Sequence, residues 1–121
     1  MTGTPAPDGG ATQAVLDLTG VSDRQAFMDA CVAHLRLPDW FGRNWDALAD
    51  CLTDLSWWPP GPAGRRLVIR GWHGYAAARP REWRIVKEVA RDAETFWWGT
   101  DSELTVILEE PVLEDGTSGT G

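Results

Sequence analysis

The residues of this chain whose spacing suggests chemistry are acidic, and three of them recur every four positions. Asp46, Asp50 and Asp54 stand at i, i+4 and i+8. On a helix, at about 100° per residue, they form one stripe. Like charges at this spacing cost roughly 0.2–0.5 kcal/mol per pair, and the segment 39–55 offers only one base, Arg43. Stability alone would not favour such a row, whereas binding to an arginine- or lysine-rich protein would.

Aromatic and polar residues adjoin this acidic row. Trp40 and Phe41 precede the predicted helix, and Thr53 lies beside the row on its surface. Carboxylates next to aromatic rings can bind a guanidinium or ammonium group through hydrogen bonds and through the ring face. A carboxylate row is equally typical of a solvated helix surface, and both aromatic residues could belong to the core. The residue pattern leaves both interpretations open.

Other chemistries find less support in the sequence. It contains no nucleophile-elbow motif, no phosphate-binding loop and no dinucleotide fingerprint. Asp46 and Asp50 could bridge a divalent cation, but no histidine or further acid stands at ligand spacing. The acids near Cys51 should raise the pKa of its thiol, which disfavours a catalytic cysteine. We therefore expect no enzyme activity, no metal and no cofactor.

Length and charge narrow the class of protein and of partner. The 121 residues suit one domain, the hydrophobic fraction of 43% suits a packed core, and the formal net charge is −7. Such a chain repels nucleic-acid phosphates and anionic membranes, so we expect a basic protein partner and no direct nucleic-acid or membrane binding. No apolar run approaches the roughly 18 residues that span a bilayer. The first residues lack a signal-peptide pattern, and we expect a cytoplasmic protein with two buried, unpaired cysteines.

Eight tryptophans raise the possibility of sugar binding, because sugars stack on exposed indole rings. Trp45, Trp83 and Trp97 recur on predicted apolar helix faces, however, which favours burial. The sequence does not indicate whether Trp57 and Trp58 are buried or exposed.

Strand and helix patterns alternate along the chain, and they predict an α/β fold. We predict one domain over 13–109, with flexible arms at 1–12 and 110–121. Helices between the strands favour right-handed crossovers and a three-stranded, mainly parallel sheet packed with three to four helices. The expected elements are strands at 14–18, 67–69 and 104–108, a helix opened by a Ser22–Gln25 capping box, a helix over 44–55 with Asn44 as N-cap, a turn or short helix within 71–80, and a helix over 82–98.

The segment 37–53 contains Leu37-Pro38, Trp40-Phe41-Gly42, Asn44, Asp46-Ala47-Leu48 and Asp50-Cys51-Leu52-Thr53. With these residues it resembles the most characteristic stretch of the barstar family of ribonuclease inhibitors. The resemblance covers about residues 13–109, and the order of elements also fits the family fold. It implies an intracellular, barstar-like inhibitor, or immunity protein, that occludes the active site of a basic barnase-type ribonuclease with an acidic helix and the aromatic loop before it.

The resemblance also implies a role for each matching residue. Asp50 would anchor the complex, with its carboxylate at the place of a substrate phosphate, and Asp46 would pair with a second basic residue at the rim. Trp40 would stack against the catalytic region, while Gly42 would allow close backbone approach. Neutral hydrogen bonds would come from two further residues, Asn44 and Thr53.

One more contact is implied on the last long helix, where Asp92 matches best and Glu88 or Glu94 could serve instead. The chain departs from the family pattern at Ala49, where the family often has tryptophan, and in the longer linker 57–64. These departures leave a second interpretation open, in which a barstar-like module binds a different basic toxin or protein.

Overall fold

Three parallel strands form the sheet of the computed structural model, which describes residues 12–38 and 40–110. The strands are β1 (Thr12–Asp17), β2 (Arg65–Arg70) and β3 (Leu104–Leu108), in the spatial order β1-β2-β3. The β2 strand pairs with both neighbours, so it is the central strand. The predicted α/β fold with a three-stranded parallel sheet is therefore confirmed.

Four helices connect these strands in the described part of the chain. They are α1 (Arg24–Leu35), α2 (Trp45–Leu52), α3 (His73–Ala78) and α4 (Pro80–Trp97). The α4 helix starts two residues before its predicted beginning because Pro80 occupies the first turn, where the missing N–H costs nothing. The predicted arms, 1–12 and 110–121, lie outside the described residues except at Thr12, which begins β1, and Glu110.

Two further predicted helix boundaries were wrong. The N-cap of α1 is Asp23 and not Ser22, because the Asp23 carboxylate accepts the Ala26 N–H at 2.8 Å. The α2 helix ends at Leu52, three residues early, since Leu55 turns the chain with a φ of 50°. Asp54 therefore lies just beyond the helix.

The core lies between the helices and one face of the sheet. Alternate residues of β2, Leu67 and Ile69 among them, point into it, as the two-residue period of a strand requires. Cys31 and Cys51 are buried and unpaired, as predicted.

Tryptophans hold both ends of α2 against the rest of the domain. At its start, the Trp45 ring lies 5.6 Å from that of Phe27 on α1. At its end, the Trp97 indole on α4 donates to the Leu52 carbonyl at 2.8 Å. The prediction that Trp45 and Trp97 lie on apolar helix faces is confirmed, because both rings pack against the core cluster.

A buried cation, Arg65, connects the segments around the end of α2. It is only 5% exposed and points to the same side of β2 as Leu67. Its guanidinium donates to the carbonyls of Trp58, Ser102 and Leu55 at 2.6, 2.9 and 3.4 Å. It also lies over the Trp97 ring, 4.8 Å from the centroid. One side chain thereby joins the loop after α2, the loop before β3 and α4.

We expect Arg65→Met to lower the free energy of unfolding by about 2–4 kcal/mol, because it leaves one buried and two partly buried carbonyls without this donor. Urea unfolding measures this loss. The control is Arg70→Met on the same strand, where Arg70 forms an exposed ion pair with Glu109 and the expected loss is below about 1 kcal/mol. Equal losses in both variants would contradict the assigned role of Arg65.

Candidate functional site

The carboxylates of Asp46 and Asp50 are exposed on α2, whose opposite side buries Leu48, Cys51 and Leu52. In residues 12–38 and 40–110, neither carboxylate forms an ion pair or a hydrogen bond. Asp46 lies in the first turn, where the helix dipole favours an anion. Asp50 lies in the last turn, which contains no basic residue, so the dipole disfavours its charge.

The rest of the predicted acidic row is arranged differently. Asp54 lies beyond the helix and accepts a hydrogen bond from the Ser56 hydroxyl at 3.1 Å. Asp39 lies outside the described residues. Arg43 is drawn away from the row, since it forms an ion pair with Asp29 on α1. The acidic face that is available to a partner therefore consists of two residues, Asp46 and Asp50.

The two aromatic residues of the loop before α2, Trp40 and Phe41, differ in exposure, so only one of them belongs to the core. Phe41 is 7% exposed and belongs to the core, whereas Trp40 is 57% exposed. Trp40 is nevertheless held in place, because its ring meets that of Trp57 edge to face at 6.4 Å. The Trp57 indole in turn donates to the Leu35 carbonyl at 3.2 Å. Trp57, which had no predicted place, supports the exposed ring of the loop.

Asn44 caps α2, as predicted, and this fixes what its side chain can still bind. Its Oδ1 accepts the Ala47 N–H at 2.7 Å, while its Nδ2 makes only a long contact of 3.4 Å with the Gly42 carbonyl. The exposed Nδ2 therefore has a hydrogen left to donate. A Cβ on Gly42 would lie 3.2 Å from this same Nδ2, so a side chain there would crowd the cap.

Thr53 lies at the other end of α2 and has the complementary capacity. Its hydroxyl donates to the Ala49 carbonyl at 2.9 Å, with a longer contact to the Asp50 carbonyl at 3.3 Å. Because a hydroxyl has one hydrogen, the Thr53 oxygen remains available as an acceptor.

The three candidate acids of α4 are not equivalent. Glu94 accepts the Val106 N–H of β3 at 2.7 Å, so its carboxylate is already used at the sheet edge. Glu88 and Asp92 are exposed. At about 100° per residue, Asp92 lies about 160° around the helix from Glu94, on the flank away from β3. This geometry disfavours Glu94 as a partner contact.

Cys51 lies under the acidic face but is poorly suited to act as a nucleophile. Burial, followed by the charges of Asp54 and Asp50, raises the pKa of its thiol to about 11. The thiol is therefore protonated at neutral pH, and the prediction that the nearby acids raise this pKa is confirmed. Residues 12–38 and 40–110 hold no group of three or more potential ligand side chains that could bind a metal ion, and no helix among them has the length and apolarity to cross a membrane.

Sequence reasoning missed two residues that support this site, Arg65 and Trp57. A signal for Arg65 existed, because the period of β2 places it on the same side as Leu67 and Ile69. No local pattern indicates the contact between Trp57 and Trp40, which are 17 positions apart.

Comparison with known proteins gives one family. The family model described as Barstar (barnase inhibitor) matches residues 11–109. No protein of curated function matches the chain.

The two carboxylates of α2 should affect the stability of the free protein differently. We expect Asp50→Asn to raise the free energy of unfolding by about 0.5–1 kcal/mol at low salt, because it removes a like-charge neighbour and an unfavourable dipole interaction. We expect Asp46→Asn to leave it unchanged or lower it by up to about 0.5 kcal/mol, since a favourable dipole interaction is lost. Thermal unfolding of both variants measures the difference, and a more stable Asp46→Asn than Asp50→Asn would refute it.

Proposed function

Because this chain belongs to the barstar family, we propose that it inhibits a basic barnase-type ribonuclease by covering the active site with α2 and the loop before it. The observation that carries the proposal is the Asp50 carboxylate, which is exposed and unpaired within the described residues at the helix end where its charge is least favoured. A partner that supplied positive charge there would relieve this cost. The proposed place of action is the cytoplasm of the cell that makes the nuclease, which suits two free thiols.

Asp50 is the anchor in this mechanism. Its carboxylate would enter the nuclease site that normally holds a substrate phosphate, and it would accept hydrogen bonds from the arginine and histidine side chains there. No internal ion pair has to break first, because Asp50 has none in the described part of the chain. Inhibition follows from occlusion alone and needs no chemistry from the inhibitor.

The residues around Asp50 would orient the complex. Asp46 would pair with a basic residue at the rim, and Trp40, already braced by Trp57, would stack on the catalytic region. Asn44 has a donor to offer and Thr53 an acceptor, so the partner should present an acceptor opposite the first and a donor opposite the second. Asp92 would add a contact from α4, and Gly42 keeps the loop open to close approach.

A second candidate is a barstar-like module that binds a different basic toxin or protein. The observation in its favour is Ala49, a small and half-buried side chain next to Asp50 in the sequence, where the family often has tryptophan. The partner surface would then have to fill more space at this point than a nuclease shaped for tryptophan.

An inhibition titration tests the first proposal. A barnase-type ribonuclease at low salt should lose activity stoichiometrically when the protein is added. Asp50→Ala should weaken inhibition by 100-fold or more, the order of magnitude of an interface hot spot. The barnase–barstar pair is a known example of such a hot spot.

The control for this titration is Asp115→Ala, which changes the net charge by the same unit in the C-terminal segment. It should change inhibition by less than about twofold, because it removes the same charge from a residue outside the proposed binding set. Equal, small effects of the two substitutions would mean that binding is diffuse electrostatics and that Asp50 is no anchor.

Ionic strength should act mainly on association. Since the net charge is −7 and the partner is basic, salt should slow association by on the order of tenfold or more between low and physiological salt, while dissociation changes little. Stopped-flow mixing with the ribonuclease measures both rates. An association rate that is indifferent to salt would exclude electrostatic steering.

A further inference from the structure

Three large hydrophobic side chains are exposed in the described part of the chain, and two of them lie at the end of α4. Phe96 is 57% exposed and Trp98 is 78% exposed, and the third is Trp40 of the proposed binding loop. A single exposed aromatic residue on a protein surface needs no explanation. Phe96 differs from such a residue because of its position on α4 relative to α2 and Asp92.

Phe96 lies on the flank of α4 that faces away from the sheet edge. Glu94 marks the opposite flank, because its carboxylate accepts the Val106 N–H of β3. At about 100° per residue, Asp92 and Phe96 each lie about 160° around the helix from Glu94 and about 40° from each other. Besides β3, α4 packs against α2 and α3. Of these two helices, α2 meets the last turn of α4, where Phe96 lies.

A chain of contacts connects Phe96 to the end of α2. Its ring packs edge to face against Trp97, with centroids 5.0 Å apart. The Trp97 indole donates to the Leu52 carbonyl, two residues from Asp50. Phe96 is thus connected, through Trp97, to the end of the helix that carries the proposed anchor.

We propose that Asp92 and Phe96 together bind one arginine side chain at the rim of the partner's active site, an inference that rests on the proposed inhibition of a basic nuclease. Residues at i and i+4 lie about 5–6 Å apart on a helix surface. The carboxylate can accept the N–H groups of a guanidinium while the aromatic ring contacts its planar face. Arginine suits this pair better than lysine, because only its planar group can stack and form directed hydrogen bonds at once.

Trp98 provides the matched comparison within the same helix end. It lines a cavity of about 460 Å³ with Glu94, Leu104 and Thr105, beside the edge of β3. Its indole is therefore on the sheet side of α4, away from Asp92. If exposed aromatic surface alone strengthened binding, Trp98 would contribute at least as much as Phe96.

Binding kinetics with a barnase-type ribonuclease test the proposal, using wild type, Phe96→Ala, Asp92→Asn, the double variant and Trp98→Ala. We expect Phe96→Ala to raise Kd roughly tenfold through faster dissociation, with no change in the salt dependence of association. Phe96→Tyr, which keeps the ring, should restore tight binding. The double variant should lose less than the product of the two single losses, because both side chains bind the same group. Trp98→Ala should stay within about twofold of wild type.

Each contrary result has a distinct meaning. The joint binding of one arginine by Asp92 and Phe96 is called the clamp below. If wild type inhibits the nuclease and Phe96→Ala inhibits it equally well, the clamp is excluded while the proposed function stands. Equal losses in Phe96→Ala and Trp98→Ala, or fully multiplicative losses for Asp92 and Phe96, also exclude the clamp. If wild type itself does not bind the nuclease, the proposed function fails and the clamp fails with it.

Discussion

The buried guanidinium of Arg65 is the interaction on which the arrangement of the binding face depends. A charge in a protein interior is tolerated only when its donors are satisfied. Here, three backbone carbonyls and the Trp97 ring satisfy it. Since those carbonyls belong to the loop after α2 and the loop before β3, one side chain fixes the relative position of both. Trp97, held over this cation, then fixes the end of α2 through the Leu52 carbonyl.

Because Trp45 and Trp97 hold α2 in place at its two ends, the residues on its outer face are not needed to position the helix. Trp45 packs on Phe27 at the start, and Trp97 binds the last turn. The cost of like charges on the outer face is a few tenths of a kcal/mol per pair, which is small beside the apolar burial on the inner face. The domain can therefore carry an unpaired Asp50 where stability alone would select a neutral or basic residue. Such a local conflict with stability is typical of residues retained for binding.

The hydrogen bonds at the two ends of α2 also determine where the binding face can donate a hydrogen bond and where it can accept one. Asn44 uses its oxygen to cap α2 and keeps an amide hydrogen free, whereas Thr53 uses its hydrogen on the helix and keeps its oxygen free. The same hydrogen bonds that begin and end α2 thus leave a donor near one carboxylate and an acceptor near the other. This asymmetry distinguishes the face from a merely negative surface, because a partner must match its direction as well as its charge.

The sequence by itself determined the class of fold, the positions of the main helices and strands, and the acidic, tryptophan-bearing segment 37–53. These properties follow from local periodicity, capping residues and turn residues, which act over a few positions of the chain. It did not determine that Phe41 is buried while Trp40 is exposed, that α2 ends at Leu52, or that Glu94 is used at the sheet edge. The first and the third depend on contacts between residues distant in sequence, Trp40 with Trp57 and Glu94 with Val106. The second depends on the backbone turn at Leu55. Only the folded chain brings such groups together, because packing decides which of several locally equivalent side chains is covered.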